Sequence, residues 1–442
     1  MPSLRFAIFL MAAVSIYAAD RPVLQLSLGR AVEIATSSEG SNRLQLATEL
    51  IEQAKARSTQ ARAALLPSVD AAVTEQNETQ NLAAFGLNLT IPIPGVQFPR
   101  IVGPYTLFDA RLSASQEVFD FSTIRRVQAS RIATKAAKSD RDNTQQEVGA
   151  QVAKAYLAAL KADADSRTAQ ANVELAQALL KQAESLKSAG TGTGIEVTRQ
   201  RVQAANEQQR LLVAQNDLRR ARLQLLKAMN LRLDTDIELT DQLTYTPVDA
   251  ALLEEVRANA LHARPDYKAQ LEREDNARLS ASAVKMERLP SLSTFANYGS
   301  IGSGLTSNFP TRAYGVTMRV PIFDGWKREA RRAEAESQFR QERIRVSDLK
   351  DQVDLDVRLA VDALQSAEDE VKVAAEGLTL AENELAQARR RVDAGVAISL
   401  EITDAQTRLS RARDNQTTAL FHHAQARIDL GQATGALARF LQ

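Results

Sequence analysis

The chain has 442 residues, a formal net charge of +1 and no cysteine; charged residues make up 25% of it and aromatics 5%. A balanced charge without a long basic block excludes a nucleic-acid footprint, and the missing thiols exclude disulfides, thiol catalysis and a lipid on an N-terminal cysteine. Ala, Leu, Gln, Arg and Glu dominate with a period near 3.5, which points to long helices or coiled coil rather than a series of ordinary globular domains.

The N-terminus, MPSLRFAIFLMAAVSIYAAD, places Arg5 before an apolar stretch from Phe6 to Ile16 and small residues at Ala18 and Ala19. Residues 1–19 are predicted to be a secretory signal peptide cleaved at Ala18 or Ala19. The stretch is shorter than the roughly 18 residues that span a bilayer, and no later segment is longer and equally apolar. Any membrane insertion must therefore use strands.

From there the chain runs through the same programme twice: a helix of about 40 residues, a β-hairpin, a very long helix, a glycine turn and another helix of about 40. The first copy is 20–230, with its hairpin at 68–119, long helix at 122–188 and return helix at 194–229. The second copy is 251–442, with hairpin 291–322, long helix 326–393 and return helix 398–438. A linker at 231–250, LRLDTDIELTDQLTYTPVDA, loses the heptad and is expected to hold one short strand.

Several phrases carry this duplication. LLPSVDAAV (65–73) is repeated as RLPSLSTFA (288–296), EVFDFS (117–122) as PIFDGW (321–326), and SAGTGTGIEVTRQR (188–201) as DAGVAISLEITDAQ (393–406). The long helices share a register. Val353, Ala360, Ala367, Ala374, Ala381 and Ala388 form one seam row, with Val357, Leu364, Val371, Leu378, Leu385 and Val392 as its partner; stepping back 205 residues gives Val148, Ala155, Ala162, Ala169, Ala176 and Ala183. At ~1.5 Å per residue each long helix spans on the order of 100 Å.

Strand-like alternation occupies about 68–77, 105–119, 291–301 and 311–322. Phe108, Ala110, Leu112, Ala114 and Val118 share one face, and Asp109, Arg111, Ser113, Ser115 and Glu117 the other. This is the apolar-out, polar-in pattern of a membrane β-barrel strand, which a soluble half-buried hairpin also shows. Four strands cannot close a barrel, because edges in lipid leave backbone groups unpaired. If the strands lie in a membrane, several chains share one barrel. Pro92, Pro94 and Pro99 oppose a regular ladder, so 78–104 is expected to be a surface loop.

Taken together, the duplication, the Leu-Pro-Ser before each hairpin, Phe-Asp-Gly-Trp at 323–326, the Ala-Gly-x5-Glu turns and ALHARPDY at 260–267 resemble the TolC-like outer-membrane efflux proteins over nearly the whole mature chain. The resemblance implies a mainly α fold with membrane β structure. Long antiparallel coiled-coil helices would form a trimeric α-barrel through the periplasm, below a shared 12-stranded β-barrel to which each protomer gives four strands. It implies a homotrimeric, passive export duct in outer-membrane lipid, docked to a periplasmic adaptor and an inner-membrane transporter of RND or ABC type.

By position in the family pattern, Glu401 and Asp404 take the places of an acidic ring that faces the lumen at the periplasmic end. Their i, i+3 spacing lets both share a helix face; solvated acids near a helix N-terminus would look the same. The turns at Gly190, Gly192, Gly194, Gly395, Val396 and Ala397 become tips and candidate adaptor contacts. Glu196 and Arg199, the first-copy counterparts of the ring acids, become candidate gate partners. Some family members latch the tip with a tyrosine and an arginine; Val392 and Ala397 stand at those places here and cannot form that link.

Nothing in the sequence supports an enzyme. His422 and His423 are adjacent rather than i, i+3 or i, i+4, so they make no chelating pair with each other, and His262 stands far off. GTGTG at 190–194 follows no strand and precedes no Lys-Ser/Thr, so it is a turn rather than a phosphate loop. No cofactor and no metal are expected. The reading is an export duct; the competing one is an exported periplasmic coiled-coil scaffold whose hairpins are soluble.

Overall fold

The computed structural model describes residues 23–37, 40–86 and 99–441. The expected signal peptide at 1–19, Pro92 and Pro94 lie outside the described residues. The first copy comprises β1 (Leu24–Leu26), α1 (Leu28–Thr36), α2 (Asn42–Ala63), β2 (Ser68–Asn81), β3 (Ile101–Phe119), α3 (Phe121–Ser188) and α4 (Gly194–Ala228). After β4 (Ile237–Leu239) come α5 (Ala250–Ala263), α6 (Pro265–Met286), β5 (Ser291–Gly302), β6 (Asn308–Arg319), α7 (Lys327–Asp393) and α8 (Ser399–Ala433).

α3 and α7 have 68 and 67 residues. Each packs along its return helix as a coiled hairpin, α3 on α4 and α7 on α8, and the two hairpins touch along α3 and α8. The seam residues Val353, Val357, Ala360, Leu364, Ala367 and Val371 are buried, as are Val148, Val152, Ala159, Val173 and Ala176 in the first copy. Alanine at one seam row lets the paired helices approach closely, which is why the rows repeat it. Among the described residues no helix is long and apolar enough to cross a membrane.

Some boundaries differ from expectation. The opening helix of each copy is two helices rather than one of about 40 residues. Pro265 starts α6 at its first turn, where a missing N–H costs nothing, and Gly40–Ser41 separates α1 from α2. The return helix of the second copy stops at Ala433 rather than 438, because Gly435 takes φ +70°. The β2–β3 ladder also runs four residues further on each strand than expected, which shortens the expected loop at 78–104. Gly103-Pro104 fits because it lies opposite Thr79 at a bulge, where a ladder hydrogen bond is already missing. β6 begins at Asn308, three residues early, since Pro310 is tolerated on an edge strand; it ends at Arg319, short of 322.

The linker strand β4 pairs in parallel with β1 and ties the N-terminal segment to the middle of the molecule. Beneath this pair Tyr156 is fully buried and donates from its hydroxyl to Leu26 O and Asp241 Oδ2, both at 2.9 Å. Burial and the neighbouring Asp241 carboxylate push the phenol well above its usual range.

Candidate functional site: an open-edged sheet and two helical tips

The hairpins form one four-stranded antiparallel sheet in the order β2-β3-β5-β6, with β2 and β6 as its edges. Directly opposed residues share a face. One row reads Val69, Ala114, Ala296 and Tyr314; the next row on the other face reads Asp70, Ser113, Asn297 and Ala313. Continued along the strands, the first face gains Ala71, Val73, Leu112, Tyr298, Val316 and Met318. The second gains Ser68, Ser115, Thr317 and the ion pair of Arg111 with Asp109 (2.9 Å). A bulge between Glu117 and Phe119 puts Phe119, not Val118, opposite Leu292 on the apolar side. The result is a two-faced sheet, predominantly apolar on one side and predominantly polar on the other, where Phe295 over Gly315 is the main apolar exception, with β2 and β6 as open edges.

The duplicated Phe-Asp phrase lies where each hairpin becomes a long helix. Asp120 accepts from Ser122 N (2.9 Å) and the Thr123 hydroxyl (2.6 Å), capping α3. Asp324 accepts from the backbone N–H (3.2 Å) and Nε (2.9 Å) of Arg328 at the start of α7. Gly325 and Trp326 both take positive φ, turning the chain there. Phe323 and Trp326 meet edge-on and are 75% and 72% exposed. Aromatic rings at the end of an apolar strand band suit a membrane–water boundary.

The ALHARPDY phrase also has a mechanical role. Arg264 makes a two-pronged pair with Asp266 (3.1 and 2.7 Å), bonds Asp356 on α7 (2.9 Å) and reaches Ala433 O at the end of α8 (3.3 Å). Burial alone would raise the Asp266 carboxyl, but the Arg264 guanidinium outweighs it and holds the group below the usual carboxylate range. One arginine thus clamps three helices of the second copy.

At the far end of the hairpins, Gly190 and Gly395 take φ +75° and +71°. The N–H of Gly395 donates to Val392 O and that of Val396 to Arg391 O, closing the last turn of α7 in a left-handed cap. Gly192 has no room for a Cβ, which would lie 2.9 Å from Lys187 N, whereas a Cβ at Gly194, the first residue of α4, would meet only the Lys187 Nζ at 3.9 Å. Thr193 and Glu196 form a reciprocal capping box on α4. At the matching point of α8 Ile398 stands in place of the threonine and makes no side-chain cap. Ile195, Val396 and Ile398 are exposed there, and Ala397 is half-buried.

The candidate gate residues are not equivalent. Glu401 pairs with Arg391 on α7, Nε to Oε1 3.2 Å, while Asp404 is exposed. The adjoining face of α8 buries Ile402, Ala405 and Leu409 against α7 and Leu179 of α3. Glu196 is occupied by its cap. Arg199 is exposed, and among the described residues of the protomer it makes no ion pair with a neighbouring acid.

Sequence reasoning missed a polar layer between the two hairpins near this end. Gln200 Nε2 donates to Thr403 Oγ1 (3.0 Å), Asn172 Nδ2 to Ser410 Oγ (3.1 Å), and Arg413 to Asn172 Oδ1 (3.1 Å). The signal was present: Gln200 and Glu207 lie at buried seam positions where the second copy has Ala405 and Ala412.

A two-faced sheet that needs partners at both edges, carried on helices about 100 Å long, defines a subunit of a membrane duct. The sequence profile of the outer membrane efflux proteins matches residues 36–231 and 256–436, and the chain belongs to that family. It is 27% identical over 416 residues to the pyoverdine export outer membrane protein OpmQ of Pseudomonas putida, covering 92% of this chain and 85% of that protein. The fold matches the CmeC outer membrane channel of Campylobacter jejuni with TM-score 0.78 at 17% identity, over 93% of this chain and 86% of CmeC. It also matches the open state of the MtrE outer membrane channel of Neisseria gonorrhoeae, with TM-score 0.77 at 19% identity over 94% and 90% of the two chains. The chain is an outer-membrane efflux channel protein, with its helices extending into the periplasm.

Proposed function

We propose that three copies of this chain close one 12-stranded barrel and one continuous helical tube, forming the passive outer-membrane duct of an efflux pump. The observation that carries this is the sheet: its apolar face suits lipid, yet β2 and β6 are open edges that lipid does not tolerate. Closure by copies of itself satisfies both edges and leaves the polar face lining a water-filled lumen. Cargo passes through that lumen, and energy comes from an inner-membrane transporter reached through a periplasmic adaptor.

The exposed apolar turn residues Ile195, Val396 and Ile398 are the adaptor contacts in this reading, at six tips per trimer. Glu401 and Asp404 act on the lumen side of the same end, Asp404 as a free carboxylate and Glu401 partly neutralised by Arg391. The test is reconstitution in a planar bilayer: stepwise conductance supports the duct. Recovery only in the soluble periplasmic fraction, without conductance, would favour the coiled-coil scaffold instead.

A further inference from the structure

Two charges stand alone on the lipid-facing side of the sheet. Among the strand residues of that face, Glu75 and Arg312 are the ones charged at neutral pH, and they sit on opposite edges, Glu75 on β2 and Arg312 on β6. Both are exposed, and neither has a hydrogen-bond or ion-pair partner among the described residues. Inside the protomer they face Phe108 and Tyr298, which cannot neutralise them. An unpaired charge facing hydrocarbon is costly, increasingly so toward the bilayer centre.

We propose that Glu75 of one protomer lies directly opposite Arg312 of the next and forms an ion pair across each subunit seam. This rests on the trimeric barrel reading and fixes its register. Two further observations agree with the pairing. Placing Glu75 opposite Arg312 pairs the whole of β6 with β2 of the next protomer, from Arg319 against Ser68 to Asn308 against Thr79. It also matches Val69 with Met318, Ala71 with Val316 and Val73 with Tyr314, keeping the apolar face continuous across the seam.

The register is also compatible with the geometry of barrel closure. Within a protomer Val69 is level with Tyr314, through Ala114 and Ala296. The proposed pairing puts Val73 of the next protomer opposite Tyr314, four residues further along β2, so three seams accumulate a stagger of twelve residues over twelve strands. With ~3.3 Å per residue and ~4.8 Å between strands, this corresponds to a tilt of about 35°, at the lower edge of the range for outer-membrane barrels. A seam with no stagger would set Ala71 opposite Arg312, leave four residues of β6 unpaired and give no tilt.

Because the chain has no cysteine, the register can be read with introduced pairs. Full-length protein in outer membranes carries Arg312→Cys together with Ala71→Cys, Glu75→Cys or Asn77→Cys, and a short bifunctional thiol reagent is added. The expected result is that the Glu75 pair gives the strongest conversion of monomer into covalent dimer and trimer on a denaturing gel. In parallel, E75R and R312E singly should lower the heat needed to dissociate the assembly in detergent, and the double swap should recover most of that loss. Stronger cross-linking from position 71 or 77, or a double swap no better than the singles, would overturn the pair while leaving a trimer intact. A monomeric mass for the uncross-linked protein would instead remove the trimer reading beneath it.

Discussion

Arg391 at the end of α7 and Glu401 at the start of α8 form an ion pair across the Gly395 turn, with Nε 3.2 Å from the carboxylate oxygen Oε1. If the tip faces the lumen as proposed, the pair changes the charge it presents there. Of two acids spaced to share a helix face, one is already bound to an arginine of its own hairpin.

For conduction, replacing both Glu401 and Asp404 with alanine is expected to raise conductance or weaken block by multivalent cations. Arg391→Ala should act in the opposite direction, since it frees Glu401 and adds negative field at the constriction. Single-channel recordings with and without a trivalent cation measure both. An unchanged channel in the double mutant would remove these acids from the gate.

For the tips, Gly395→Ala forces a Cβ into the left-handed region, at a cost of about 1–2 kcal/mol per site. Gly190→Ala carries a similar cost, because both positions are conformationally required while neither is sterically crowded. Gly194→Ala should be tolerated, since its methyl makes only an ordinary contact with the flexible Lys187 side chain, 3.9 Å away, at the first turn of α4. Thermal denaturation of the three variants checks the order.

For the clamp, Arg264→Ala should destabilise the protomer by about 3–5 kcal/mol, because it leaves two partly buried carboxylates and a helix C-terminus without their partner. Lysine should recover little, since it cannot reproduce the two-pronged contact with Asp266 while also reaching Asp356. The shift in unfolding temperature of R264A and R264K measures this.

Two groups, the fully buried His423 and the solvent-exposed Asp414, give pH dependences of opposite sign. His423 is fully buried beside Tyr245, with no hydrogen-bond partner at either ring nitrogen, and burial followed by the nearby Arg427 lowers its pKa. The unfolded chain takes up the proton first, so the stability contributed by neutral His423 is present above the ordinary histidine range. It is lost as the pH falls through that range toward the depressed folded value. Asp414, solvent-exposed but partly desolvated by the neighbouring helices, is raised by that desolvation and then by Asp165; it favours the folded state at low pH, and that contribution is lost as the pH rises through its folded value. His423→Phe should flatten the fall in unfolding temperature below about pH 6.5, and Asp414→Asn should raise that temperature at neutral pH.

Much of this architecture is legible in the sequence, because the duplicated phrases and the unbroken alanine row fix helix pairing before any coordinates. The Phe-Asp and Ala-Gly phrases locate the helix starts and turns; Asp120 at the α3 N-cap and Gly190 and Gly395 in left-handed caps meet local requirements. What escaped was set by non-local geometry. The pair of Arg391 with Glu401 depends on how two helices meet after a turn. The Gln200–Thr403 and Asn172–Ser410 contacts depend on which hairpin faces which. The bulges opposite Thr79 and beside Phe119 shift a face by one residue, and strict alternation cannot foresee that; it had assigned Val118 to the apolar side. The two short strands β1 and β4 support each other across more than 200 residues, too far for any local pattern to announce both.

Closure of the sheet by copies of itself is tested most directly by the mass of the particle extracted from the outer membrane in mild detergent. A particle of three mature chains is expected, each somewhat below the 48.3 kDa of the full sequence. A single-chain mass, with the protein recovered from the soluble periplasmic fraction, would contradict it.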